Sequence, residues 1–178
     1  MIKCVAPVVK VSNNENGSIK LSWDAVKGAK KYVIYRASSA DGEFVKMYTT
    51  KGTYYNNTKA TAGASYMYKV VAVCGNDAAG NAESAVVFGT CKCAAPVVSK
   101  VAGKAHPSIK WDAVKGAQKY VVYRSVNGGQ FTKLYTTTNT SFTNVNAKAG
   151  VSYKYKVVAV SFNPDVKSAY SNAVKIKG

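Results

Sequence analysis

The sequence predicts an all-β chain built as two antiparallel β-sandwiches in tandem, and three observations carry that prediction. A long block occurs twice, IKLSWDAVKGAKKYVIY at 19–35 and IKWDAVKGAQKYVVY at 109–123, with Trp23 and Trp111 lying 88 residues apart. A second block, AGASYMYKVVAV at 62–73, returns as AGVSYKYKVVAV at 149–160. Around these blocks lie short apolar or alternating runs broken by turn signals, and no segment reads as a helix.

A period this long divides the 178 residues into two domains, 1–92 and 93–178, each near the lower end of common domain size. It is too long for a solenoid unit. The apolar content is rich in Val, Ala and Tyr, whereas Leu occurs only at Leu21 and Leu134. Val and Tyr suit a pleated, half-buried surface.

In the first copy, PVVKV at 7–11 is the expected first strand. SIKLSW at 18–23 alternates, placing Ile19, Leu21 and Trp23 on one face. The chain then turns through Gly28 into YVIYR at 32–36. Asp41-Gly42 is a hairpin signal, matched in the second copy by Asn127-Gly128-Gly129. EFVKMYTT at 43–50 is the return strand, a short strand follows at Thr53–Asn56, and then comes the long YMYKVVAV run. A glycine-containing loop and SAVVFGT at 84–90 complete seven strands. On the long strand Tyr66, Tyr68, Val70 and Ala72 share one face. Lys69, and in the second copy Lys154 and Lys156, mark the other as outward, because a lysine in a small core would carry an unpaired charge. Tyr66 and Tyr153 open their strands just after a glycine, where a tyrosine can bury its ring and turn its hydroxyl back to a loop backbone.

Together Trp23, the Val26-Lys27-Gly28-Ala29 turn, Tyr32-Val33-Ile34-Tyr35-Arg36 and AG-x-SY-x-Y-x-V-x-A resemble the fibronectin type III domain, and the match recurs in the second copy. In detail the copies are similar to versions found in tandem in surface and secreted proteins of Gram-positive bacteria. The resemblance covers nearly the whole chain. It implies two immunoglobulin-like seven-stranded antiparallel sandwiches, with termini at opposite poles and no enzymatic activity. No Arg-Gly-Asp occurs, so the integrin-binding role of some animal members does not carry over. The linker Thr90-Cys91-Lys92-Cys93-Ala94-Ala95 is too short for a floppy tether, which leads us to expect sandwiches set end to end with restricted bending.

Four cysteines occur, Cys4, Cys74, Cys91 and Cys93, and they allow three connectivities. In a sandwich of this topology the start of the domain and the end of the sixth strand share a pole, so a Cys4–Cys74 disulfide is geometrically open. That pairing leaves Cys91 and Cys93 unassigned. A Cys-x-Cys bridge would be strained, and the spacing lacks the paired CxxC of structural zinc. The equally weighted alternative is that the cysteines fill small apolar spaces.

Little else carries chemistry. His106 has no acid or nucleophile partner suggested by spacing. Asp24 and Asp112 hold equivalent places in separate domains, a turn feature rather than a glycosidase pair. No phosphate-binding glycine loop or two-histidine metal spacing occurs, and we expect no catalytic residue, cofactor or metal. No segment approaches the ~18 consecutive apolar residues of a membrane span.

Net charge is +17, with 25 basic and 8 acidic residues, and it divides into +6 for 1–92 and +11 for 93–178. Such an excess attracts polyanions in a salt-sensitive way. The basic residues are scattered lysines that form no run, which is also the composition of an ordinary solvated surface. Alternation nominates one binding face. Val33 and Tyr35 neighbour Val71 and Val73 with Lys69 at the edge, and the second copy repeats this with Val121, Tyr123, Val158 and Val160 flanked by Lys154 and Lys156. The named candidates are Tyr35, Lys69, Val71, Tyr123, Lys154 and Lys156, although strand propensity and lysine stems explain the same pattern. The expected function is a non-catalytic, monomeric, extracellular spacer or interaction module within a larger bacterial protein. Its partners would be neighbouring domains, with neither specific nucleic acid nor membrane insertion. The alternative is a module that binds an acidic glycan, cell-wall polymer or host ligand through those basic, tyrosine-bearing faces.

Overall fold

The computed structural model of the chain describes residues 4–38, 42–74 and 80–178. The chain divides into two compact units. The first comprises Met1–Asn14, Ser18–Ala60 and Ala64–Cys91, and the second comprises Glu15–Gly17, Thr61–Gly63 and Lys92–Gly178. Both are all-β, and no α-helix occurs among the described residues.

The first unit packs two antiparallel sheets face to face. One holds β1 (Lys10–Asn13), β2 (Ile19–Ser22) and β5 (Tyr54–Asn57), in the order β1-β2-β5. The other holds β4 (Val45–Thr50), β3 (Lys31–Ala37) and β6 (Ser65–Val73), with β7 (Ala82–Glu83) and β8 (Val87–Thr90) both pairing with β6. The second unit repeats this plan. It has a sheet of β9 (Val98–Lys100), β10 (Ser108–Trp111) and β13 (Ser141–Thr143), and another in the order β12 (Thr132–Thr137), β11 (Lys119–Val126), β14 (Ser152–Val160), β15 (Val174–Lys177). With β7 and β8 counted as two pieces of one edge strand along β6, both units show the seven-strand plan expected from the sequence.

The cores follow the pleat. Ile19, Leu21, Trp23, Ile34, Tyr68, Val70 and Ala72 fill the first, and Ile109, Trp111, Val122, Tyr155, Val157 and Ala159 the second. Each tryptophan meets a tyrosine edge-on, Trp23 with Tyr32 and Trp111 with Tyr120, both at 5.3 Å between ring centroids. The hydroxyls of those tyrosines accept from the backbone N–H of Val26 and Val114 at 2.8 and 2.9 Å, so the ring that packs the core also fixes the turn preceding its own strand. That turn closes with Ala29 N–H donating to the Val26 carbonyl, and Gly28 at φ 83° supplies the left-handed conformation it requires. Deeper in, the amides of Asn57 and Asn144 donate to the hydroxyls of Tyr68 and Tyr155 at 2.7 and 2.8 Å. These bonds satisfy two phenols that would otherwise be stranded in the core.

The first strand starts later than expected. Pro7 has no N–H for a ladder, and Val8 is exposed, so pairing begins at Lys10 opposite Ser22. The last strand is interrupted in both units by a serine. Ser84 N–H donates to the Val70 carbonyl while its hydroxyl accepts from Val70 N–H at 3.0 Å. Ser171 does the same for Val157, its hydroxyl accepting at 2.9 Å. The side-chain oxygen stands in for a backbone carbonyl, which lets the edge strand bend without leaving a buried N–H bare. The hairpin residue Asp41 and most of the loop after β6 lie outside the described residues. In the second unit Asn127 and Gly128 adopt φ 48° and 83° between β11 and β12, the hairpin conformation expected there.

Candidate functional site

The candidate face is the outer surface of the larger sheet in each unit. In the first, Val33 lies opposite Val71 and Tyr35 opposite Lys69. The Lys69 ammonium sits over the rings of Phe44 and Tyr35, 4.8 and 5.7 Å from their centroids, and 3.0 Å from the Glu83 carboxylate. In the second unit Val121 lies opposite Val158 and Tyr123 opposite Lys156. Lys156 is held over Phe131 and Tyr170 at 4.2 and 5.1 Å, and Tyr170 meets Tyr123 edge-on at 5.2 Å. Both lysines thus lie among aromatic rings, but Tyr170 stands where the first unit has the carboxylate. Lys69–Glu83 is the one salt bridge among the described residues.

The expected outward valines are not a flat apolar surface. Val121, Val158 and Val160 are 7%, 4% and 1% exposed and form a small second cluster with Tyr123. The physical reason is local: the segment after β14 returns along the sheet, bridging Val160 to Lys167 and seating Tyr170 on Tyr123. In the first unit Val33 is buried, and Tyr35, Lys69, Val71 and Val73 are half-buried. Of the named candidates Lys154 alone is exposed.

Register adds what the sequence reading missed. Lys154 lies opposite Lys175, and two pairs further along Ser152 lies opposite Lys177. Residues directly across an antiparallel pair share a face, so Lys154, Lys156, Lys175 and Lys177 project from the same side. At the matching places the first unit has Met67 opposite Phe88 and Ser65 opposite Thr90. Further across the same sheet, Lys119, Lys133 and Lys167 border a groove of about 280 Å³ floored by Val121 and Val160, with Asp165 at its rim. Like charges directly opposite destabilise a sheet. The signal was present as the lysine alternation of the final strand, but only the register shows which lysines it faces.

Cys4 and Cys74 are joined by a disulfide with Cα atoms 5.7 Å apart. Cys91 and Cys93 are buried thiols; burial pushes the Cys91 pKa up, which disfavours the reactive thiolate. The Tyr153 hydroxyl accepts from Lys148 N–H at 2.9 Å, the corner arrangement expected there. Tyr66 is half-buried, with the Arg36 guanidinium 4.7 Å from its ring centroid. His106, Asp24 and Asp112 are exposed. Among the described residues no three His, Cys, Asp or Glu side chains are grouped to hold a metal, and no helix is long and apolar enough to cross a membrane.

Both units have the architecture of an antiparallel β-sandwich with a fibronectin type III-like fold. Residues 104–170 match the family model described as a PBP1-like, fibronectin3-like domain. An amylopullulanase of Thermoanaerobacterium saccharolyticum is 38% identical over 64 residues, covering 35% of this chain and 5% of that protein's length. The two-domain fibronectin type III segment of chicken tenascin superposes with a TM-score of 0.62 at 18% identity, covering 98% of this chain and 100% of that one. The chicken interferon gamma receptor alpha chain gives 0.68 at 13% identity, covering 97% and 98%. At these identities the structural likenesses speak to the fold alone. The amylopullulanase match places a similar module in a small part of a much longer bacterial protein.

Proposed function

We propose that this chain is a non-catalytic module of a larger bacterial protein, working outside the cytoplasm to space or join its neighbours. The observation that supports this most directly is the repeated design. Both units use their tryptophan, tyrosines, buried asparagine and bent edge strand to build a core, and a similar stretch makes up a twentieth of a bacterial amylopullulanase. Fibronectin type III-type domains are in general non-catalytic. A disulfide between Cys4 and Cys74 suits an oxidising compartment.

One observation favours a second reading, in which the module also binds an acidic glycan or wall polymer. Lys154, Lys175 and Lys177 replace Met67, Phe88 and Thr90 of the first unit, and Tyr170 replaces the carboxylate that neutralises Lys69. Binding of the intact chain to polygalacturonate and to a polyglycerol phosphate, at low and moderate salt, separates the two. A spacer gives no binding at either salt. A polyanion binder gives affinity that falls steeply with salt and is abolished by Lys154→Glu with Lys175→Glu.

A further inference from the structure

The edge of the second unit opposite β15, where β12 and β13 come together, holds a groove of about 470 Å³. This is within the size range of small-molecule sites. In a chain of net charge +17 its lining carries no charged side chain. Tyr135 and Phe142 form an aromatic corner, their centroids 5.4 Å apart and their planes inclined by 34°. Phe142 packs inward against Tyr155, whereas Tyr135 is 52% exposed and offers its ring to solvent. Around the rings stand short neutral polar side chains, Thr137, Asn139, Ser141 and Asn146. The Thr137 hydroxyl accepts from Asn139 N–H at 2.9 Å, which pins the turn that carries Asn139 and Ser141.

We propose that this groove binds a neutral oligosaccharide. A pyranose presents an apolar C–H face with partial positive charge, which meets the negative face of an exposed tyrosine ring. Its hydroxyls both donate and accept, as amide and hydroxyl side chains do. An anionic chain would find no counter-charge here and would be drawn to the lysine face instead. The first unit keeps the aromatic pair at the matching edge, Tyr48 and Tyr55, stacked at 5.7 Å with Tyr48 exposed. Half-exposed rings at one edge of both units make this edge, rather than the sheet face, the place where sugar stacking is geometrically available.

The test is a titration of the intact chain with uncharged hexasaccharides of glucose, xylose, mannose and N-acetylglucosamine, followed by amide chemical-shift mapping and calorimetry. At least one sugar is expected to shift amides between 134 and 146, with an affinity that does not change with salt. Tyr135→Ala should weaken that binding about tenfold or more, equivalent to about 1.4 kcal/mol, and Tyr135→Phe should retain it. The inference is overturned if none of the four sugars shifts those amides, if the shifts map elsewhere, or if Tyr135→Ala binds as well as the parent. Salt-insensitive binding here and salt-sensitive binding at Lys154 and Lys175 are separate results, so either reading can fail without the other.

Discussion

The Cys4–Cys74 disulfide closes a loop with a sequence separation of 70 residues and ties the start of the first unit to the end of β6. The second unit has Ser161 in the place of Cys74, and so serves as an internal control. Chain-entropy reasoning for a loop of this length gives a stabilisation of about 4 kcal/mol, and native disulfides are typically worth about 2–4 kcal/mol. Replacing both residues, as Cys4→Ala with Cys74→Ala, also trims side chains that pack in the core, so reduction of the parent chain should accompany it. Each unit has one tryptophan, which makes the assay specific. Urea unfolding is followed by Trp23 fluorescence in a Trp111→Phe background and by Trp111 fluorescence in a Trp23→Phe background. A small domain has a urea slope of about 1 kcal/mol per molar, so the Trp23 midpoint should fall by roughly 2–4 M and the Trp111 midpoint should stay in place. A Trp23 transition that does not move would refute the reasoning. So would two transitions that move together.

Three other outcomes follow from the same geometry. Ser171→Ala should strand the buried Val157 N–H and destabilise the second unit by about 1–3 kcal/mol; Ser84→Ala should do the same in the first, and thermal unfolding reports both, with roughly 4–8 °C lost per kcal/mol. Gly89→Ala would place a Cβ 2.7 Å from a methyl carbon of buried Ile19, so it should lower the Trp23 unfolding midpoint and leave the Trp111 midpoint unchanged. Burial pushes the Tyr68 hydroxyl pKa up to about 12 from 10.0, although the Asn57 hydrogen bond works the other way. A raised folded-state value means that the unfolded chain loses this proton first, so its contribution is complete below pH 10 and fades as pH rises towards 12. A pH series of urea midpoints should show that decline, and Tyr68→Phe should flatten it.

What the sequence disclosed was whatever one strand dictates alone. Alternation at Ile19, Leu21 and Trp23 names a buried face because successive residues point to opposite sides. The Gly28 turn and the Tyr153 corner are local in the same sense. What it withheld depends on pairing. Val158 and Val160 alternate with Ala159 and read as outward, yet a later segment folds back and buries them. Lys175 and Lys177 read as ordinary solvated residues until register sets Lys175 against Lys154. The serine that substitutes for a backbone carbonyl in the edge strand has no sequence pattern of its own, since its role exists only beside Val70 or Val157.

The same distinction locates the functional differences between the copies. Positions that build the core are held in common, because a tryptophan–tyrosine contact or an asparagine–tyrosine hydrogen bond admits few substitutes in so small a sandwich. The outer sheet face is under no such demand, and there the copies part. One keeps its lysine neutralised by Glu83 beside Met67 and Phe88, and the other gives up the carboxylate and adds Lys154, Lys175 and Lys177. Opposed like charges lower the stability of the sheet that carries them, by roughly 0.2–1 kcal/mol per pair. Charge repulsion at an edge strand also discourages strand-to-strand aggregation, a benefit that would favour β15 lysines in any exposed sheet. Lys154 separates the two explanations, because it sits on the interior strand β14, where edge protection requires nothing. If Lys154→Thr raises the unfolding midpoint of the second unit and also removes salt-sensitive polyanion binding, the lysine face is a binding surface maintained against the interest of stability. If it raises the midpoint and binding is unchanged or was never present, the lysine face is not a polyanion-binding surface and the module is a spacer.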